Sequence, residues 1–298
     1  MLPRRHIRIK VFQSLYAYSQ QNQDKKFNIT KEFNNNLEGY ANSYYFIIHV
    51  LRLLKKVAIE EINIKQKNFI PSKEDLKPNK RFIENFILKN IKEKRKISSI
   101  NVEDDKLKSL IKTIFKSIKK TKSYIDYMHQ LSISKEDEKK IIFHILKKHF
   151  IRNEKIYDFA EECSIYWNDD MIIAYNFFTE RINNDKTINT IELFRKKEDK
   201  LFGKLLLKET IKREKKISEI IYKLADNWER ERIALIDLIL MRMAIIEMMY
   251  INNIPNKVTL DEYIEISKQY STPKSKEFIN GILDVFIKEI LPKNLTES

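Results

Sequence analysis

The run IALIDLILMRMAIIEMMY at residues 233–250 decides the fold. Its only charges are Asp237, Arg242 and Glu247, spaced five residues apart. On a helix they point in different directions instead of forming one polar face. A helix that is apolar nearly all round belongs inside a protein. The run approaches the length of a membrane span, but three internal charges at about 2.5–3.5 kcal/mol each oppose insertion. The stretch therefore reads as the central helix of an all-α bundle with no membrane partner.

Punctuation on the C-terminal side supports this. Asn252, Asn253 and Pro255 end the long helix, because proline cannot continue the hydrogen-bond ladder. Thr259-Leu260-Asp261-Glu262 has the form of a capping box opening a new helix, with Leu260, Tyr263, Ile264 and Ile266 on its apolar side. Ser271-Thr272-Pro273 marks a further start. From there Phe278, Ile279, Ile282, Leu283, Phe286, Ile287 and Ile290 recur at helical spacing. Gly281 interrupts that pattern at a cost of about 1 kcal/mol relative to alanine, which suggests close packing against a neighbouring helix.

Composition agrees. The 298 residues are 43% hydrophobic, enough for a core, and contain only 3 Gly and 6 Pro, too few for a turn-rich sheet architecture. The formal charge of +15 points to an anionic partner such as nucleic acid, against the plainer alternative of a lysine-rich solvated surface. It is unevenly spread: residues 225–298 hold 9 Lys+Arg against 12 Asp+Glu, leaving +18 on the remainder. A single cysteine, Cys163, excludes an internal disulfide and fits a reducing cytoplasm. No apolar signal core follows the N-terminal arginines.

Taken in order, the chain opens with an amphipathic helix after Pro3, carrying Ile7, Val11, Phe12, Leu15 and Tyr16. Arg4, Arg5 and Arg8 fall within an arc of about 100° that overlaps the apolar stripe of later turns. A first turn projecting beyond the core would present three forked donors suited to phosphate, unless it is merely a solvated start. Residues 20–36 are polar and Asn-rich and read as a loop. A helix returns over 44–62, breaks around Pro71 and Pro78, and resumes at Arg81. Residues 89–122 carry 12 Lys+Arg against 4 Asp+Glu, either a solvated face or an auxiliary RNA contact. Helices follow over 136–152 and 153–167. Asp169 and Asp170 precede another at 171–182, where carboxylates suit the positive end of a helix better than they suggest a cation site. After a break at 187–191, two further helical stretches run over 197–224, led by Leu201, Phe202, Leu205 and Leu206.

Catalytic signatures are missing. Three glycines, at 39, 203 and 281, cannot build a phosphate-cradling loop. The five histidines show no zinc-binding spacing, and Cys163 has no base near it in sequence. The expectation is a protein that is not an enzyme and needs no metal or cofactor.

The segments NWERERI (227–233), IDLILMRMAIIE (236–247), IPNKVTLDE (254–262) and FINGILD (278–284) resemble, in order and spacing, the C-terminal half of the NusB family of transcription antitermination factors. The opening RRHIRIKVFQSLY (4–16) is similar to that family's arginine-rich first helix. The resemblance implies an all-helical RNA-binding fold in the cytoplasm. It implies that the chain binds a boxA-like single-stranded element of nascent ribosomal RNA together with a small-subunit ribosomal protein, the NusE partner, within the RNA polymerase elongation complex. By the same resemblance, Arg4, Arg5, Arg8, Lys274, Lys276 and Phe278 would contact RNA, and Tyr16 and Asp237 the protein partner. Lys274 departs from the acidic residue usual in that loop, a change that would strengthen RNA binding or relax its selectivity. The family's short form has no counterpart of residues 21–155, so the expected organisation is a first helix (1–20), an extra helical region (21–155) and the remainder of the RNA-binding domain (156–298). Two alternatives stay open: a helical scaffold or ribosome-assembly protein binding RNA non-specifically, and the RNA-binding module found fused to ribosomal RNA methyltransferases. The second is disfavoured because no glycine-rich cofactor loop follows.

Overall fold

The computed structural model describes residues 2–21, 27–67, 69, 72–92, 104–164, 167–194, 196–226, 228–251 and 254–291. The first helices are α1 (Arg4–Gln20), α2 (Ile29–Gln66), α3 (Lys73–Leu76), α4 (Arg81–Glu84) and α5 (Phe86–Asn90). Then come α6 (Asp104–Ile118), α7 (Lys122–His129), α8 (Lys135–Ile145), α9 (Glu154–Cys163) and α10 (Trp167–Asn183). The last five are α11 (Lys197–Lys212), α12 (Glu214–Leu224), α13 (Leu235–Tyr250), α14 (Asn256–Tyr270) and α15 (Ser275–Val285). Wider π-helical turns extend α8 over Leu146–Ile151 and α15 over Phe286–Ile290. There is no strand among the described residues, so the all-α expectation holds.

The chain divides into two compact units. The first comprises Met1–Leu37 and Phe194–Ser298. Its centre is α13, where Leu238 to Met241 and Met243 to Glu247 are all buried. Helices α1, α11, α12, α14 and α15 pack directly on it. The expected central helix is therefore central, and its three charges each find a partner: Asp237 with Ser271, Arg242 with Glu214 and Glu247 with Arg8. Gly203 on α11 is the tight point, since a Cβ there would lie 2.7 Å from Ile7 Cγ2 and 2.9 Å from Phe33 Cζ. Gly281 is the reverse. Nothing lies within 4 Å of the position its Cβ would take, which corrects the expectation of close packing there.

The second unit is Glu38–Leu193. The buried face of α2 includes Tyr40, Tyr44, Ile47, Leu51, Leu54 and Ala58. Phe46 packs on Trp167 at 4.8 Å between ring centroids, and Phe82, Phe115 and Tyr124 form a second aromatic group. Several lysines of the basic stretch at 89–122 meet acidic partners: Lys108 pairs with Glu60 at 2.6 Å, Lys119 with Glu61 and Lys106 with Glu162. The extra region expected over 21–155 and this unit have residues 38–155 in common.

Several boundaries differ from expectation. Helix α2 begins at Ile29, so residues 29–36 of the Asn-rich stretch at 20–36 are helical instead of a loop. Buried Phe33 and Leu37 outweigh the weak helix propensity of Asn34, Asn35 and Asn36, and the Asn36 side chain donates to Lys10 O. Thr259 does not cap α14. Pro255 stands at the cap, and buried Thr259 turns inward instead. Helix α9 ends at Cys163, so 153–167 is not continuous, and Asp169 and Asp170 lie within the first turn of α10. On α11, Phe202 and Leu206 are buried but Leu201 and Leu205 are exposed. The helix end expected at Asn252 and Asn253, the break at Pro71 and Asn227 of the quoted NWERERI run lie outside the described residues.

Candidate nucleic-acid interface

Pro3, with φ −64° and ψ 151°, sets an extended backbone just before α1, so the three arginines occupy its first two turns. Each finds a carboxylate. Arg4 Nε donates to Asp199 Oδ1 at 2.9 Å, with its guanidinium 5.4 Å from the Phe202 ring centre. Arg5 grips Glu262 with two parallel bonds, Nε to Oε2 at 2.9 Å and Nη2 to Oε1 at 2.8 Å. That grip holds the Glu262 carboxyl below the usual carboxylate range. Arg4 and Arg5 keep 43% and 48% of their side chains exposed.

Arg8 is different. It is buried at 2% exposure, so the expectation that it projects beyond the core with its neighbours is corrected. Its Nε and Nη2 donate to Glu247 Oε2 at 2.9 Å and Oε1 at 2.5 Å. The Glu247 carboxylate also accepts from Thr259 Oγ1 and Tyr263 Oη, each at 3.0 Å. Burial, and then the Glu247 charge, push the Tyr263 hydroxyl well above its ordinary range. The physical reason is solvation: a carboxylate at the centre of the apolar helix needs a charged, hydrogen-bonded partner. The sequence showed only one side of this pair, Glu247 as one of three charges in the run 233–250.

The remaining expected RNA-contact residues open α15. Lys274 is exposed, Lys276 half-exposed with its Nζ 4.0 Å from Glu277, and Phe278 half-buried. The Phe278 ring lies tilted at 56° against Trp228, 5.1 Å between centroids, and Trp228 is 55% exposed. Trp228 is a residue that sequence reasoning missed. Its signal was an aromatic side chain stranded in a polar run, outside any helical stripe. In their described contacts this group and the arginine group share no partner residue.

The residues expected at a protein interface also diverge. Tyr16 is 38% exposed, 6.3 Å from Phe12, whose ring in turn meets Tyr270 at 5.2 Å. Asp237 is 5% exposed and accepts from Ser271 Oγ at 2.6 Å. Asp237 therefore anchors the turn between α14 and α15 from a buried position.

Comparison with known proteins adds a second line of argument. The model of the NusB family matches residues 168–288. Transcription antitermination protein NusB of Thermodesulfovibrio yellowstonii is 38% identical over 141 residues, covering 47% of this chain and 92% of that protein. The chain belongs to the NusB family. The NusB of Salinibacter ruber is 47% identical over 89 residues, 30% of this chain and 56% of that protein. That of Chloroherpeton thalassium is 53% identical over 75 residues, 25% and 36% respectively. The chain thus spans about half or less of those two NusB proteins. No solved structure matches it.

The NusB match takes in α10 from its second residue, the loop after it and α11 to α15, with the Lys274–Phe278 group and Trp228, and excludes α1. Transcription antitermination is the work of a non-enzymatic factor, in keeping with the expectation that the chain is not an enzyme. Among the described residues no helix is long and apolar enough to cross a membrane.

Proposed function

We propose that this chain is a cytoplasmic transcription antitermination factor that binds a boxA-like single-stranded element of nascent ribosomal RNA together with a small-subunit ribosomal protein, the NusE partner, on the elongating polymerase. Family membership supports the process. The observation that carries the RNA contact is the group at the start of α15, where exposed Lys274 and half-exposed Lys276 precede half-buried Phe278, whose ring meets exposed Trp228. Lysines hold phosphates, and exposed rings stack unpaired bases without demanding a sequence. Arg4 and Arg5 add partly exposed guanidinium groups, whereas Arg8 acts by fixing α1 on α13. Tyr16 is the open residue for the protein partner, with Asp237 shaping the adjoining turn from inside.

The test is single-stranded RNA binding by fluorescence anisotropy across a salt series. Lys274→Ala with Lys276→Ala should make the logarithmic salt slope shallower by about 1.4, from roughly 0.7 per phosphate contact. Phe278→Ala and Trp228→Ala should each weaken affinity by about 1–3 kcal/mol with little change of slope. Unchanged binding in all of these variants, with folding intact, would remove RNA contact from this face and leave the scaffold reading.

A further inference from the structure

The loop that follows α10 is held in place at nearly every residue. Asp185 takes the left-handed conformation at φ 50°. The Lys186 amide donates to Arg181 O at 2.8 Å and the Asp185 amide to Ile182 O at 3.2 Å, the paired bonds of a Schellman turn. Arg181 Nε donates to Thr187 O at 2.6 Å, and the Tyr44 hydroxyl to Ile188 O at 2.9 Å. Asn189 then ties the loop to the end of α5: its Nδ2 donates to Asn90 O at 2.9 Å, and its Oδ1 accepts from the Lys92 amide at 3.0 Å. These bonds fix where Lys92 and Lys186 are presented.

Two adjoining depressions of about 270 and 420 Å³ flank this bridge, and both are lined by Lys92, Thr187 and Asn189. Their cationic lining is Arg52, Lys92, Lys135 and Lys186 against one carboxylate, Asp185, which Lys135 already engages at 2.6 Å. Lys92 and Lys186 have no acidic partner among the described residues. This contrasts with Lys106 and Lys108 of α6 and Lys119 just after it in the same unit, which meet Glu162, Glu60 and Glu61. Free positive charge on a hydrogen-bonded, amide- and hydroxyl-lined surface suits phosphates. Two depressions sharing one wall suit a chain lying across both more than one enclosed small molecule.

We infer that these depressions bind the phosphodiester backbone of single-stranded RNA, making the second unit a separate RNA-contacting surface. The identity of the polyanion as RNA rests on the reading under Proposed function; the anion site rests on the loop's own geometry. The test uses the full chain and a short single-stranded RNA oligonucleotide, with anisotropy across a salt series. Lys92→Ala with Lys186→Ala should make the slope shallower by about 1.4, two phosphate contacts' worth. Lys274→Ala with Lys276→Ala should reduce it independently, and the four-residue variant should lose both amounts. A slope unchanged only in the Lys92, Lys186 variant overturns this inference and leaves the α15 site standing. A slope unchanged only in the Lys274, Lys276 variant keeps the inference and displaces the α15 site. Failure of the parent chain to bind RNA at all overturns both. Polyglutamate competing for a labelled parent chain, with no effect of Lys92 and Lys186 on the RNA slope, would assign the surface to an acidic protein and likewise overturn the inference.

Discussion

The start of α1 and the loop after α10 are both rich in cations, but they use them in opposite ways. At α1, Arg4, Arg5 and Arg8 each face a carboxylate, Asp199, Glu262 and Glu247. Where that loop is tied to the end of α5, Lys92 and Lys186 face none among the described residues, although the backbone amide of each is hydrogen-bonded. The arginines follow the logic of fold construction: a forked donor joins helices distant in sequence through charge-assisted bonds. The lysines follow that of recognition, with charge left over after folding. A basic motif and an available positive surface are therefore different things, and only pairing separates them.

The sharpest way to break that contrast is to remove a buried arginine. Arg8→Ala leaves Glu247 buried without a charged partner and should cost about 3–5 kcal/mol, a large share of a domain's stability. Arg8→Lys should recover only part of this, because an ammonium cannot supply two parallel bonds. Replacing both partners, Arg8→Met with Glu247→Leu, should be far milder than either alone. Denaturant melts measure all of these. A single Arg8→Ala variant within about 1 kcal/mol of the parent would show that Arg8 is as dispensable to folding as a surface cation.

The support beneath the arginines is the next target. Gly203 neighbours Phe202, whose ring lies under the Arg4 and Arg8 guanidinium groups at 5.4 and 5.2 Å. Gly203→Ala would press a methyl group against Ile7 and Phe33 and should cost about 1–3 kcal/mol. Gly281→Ala, with open space around it, should instead stabilise by about 0.5–1 kcal/mol through helix propensity. If the two substitutions shift the melting temperature alike, α1 is not packed on α11 as described.

Much of this was legible in the sequence, for reasons that can be assigned. The central helix could be read because an all-round apolar run has one stable environment, and the helices after it because proline and polar residues punctuate them. The start of α2 could not, because Phe33 and Leu37 gain more by burial than three asparagines lose in propensity. The role of Arg8 was hidden because an arc of arginines looks the same whether its partner is a phosphate or a buried glutamate 239 residues away. Trp228 acquires meaning only through contact with Phe278, 50 positions on. The loop after α10 was the least legible: its left-handed residue is an aspartate where glycine is usual, and its register depends on Asn90, 99 residues distant.

The smallest expected effect tests the other half of the comparison. Lys92→Ala and Lys186→Ala remove side chains that meet no acidic partner among the described residues, while the backbone bonds of Lys92 to Asn189 and of Lys186 to Arg181 stay available to alanine. Nothing stabilising is lost from the folded state, and one source of repulsion among like charges is relieved. Each substitution should therefore shift stability by no more than about 0.5 kcal/mol, as for surface positions free of special contacts. Asn189→Ala is the companion change. It breaks the two side-chain bonds that hold the loop to the end of α5 and should cost about 1–3 kcal/mol if those partners are left unsatisfied. Melting all three variants beside the parent makes the comparison quantitative. Lysine variants as destabilised as Asn189→Ala would mean that the cations of the second unit are structural after all, and that its charge, like that of α1, is already committed to the fold.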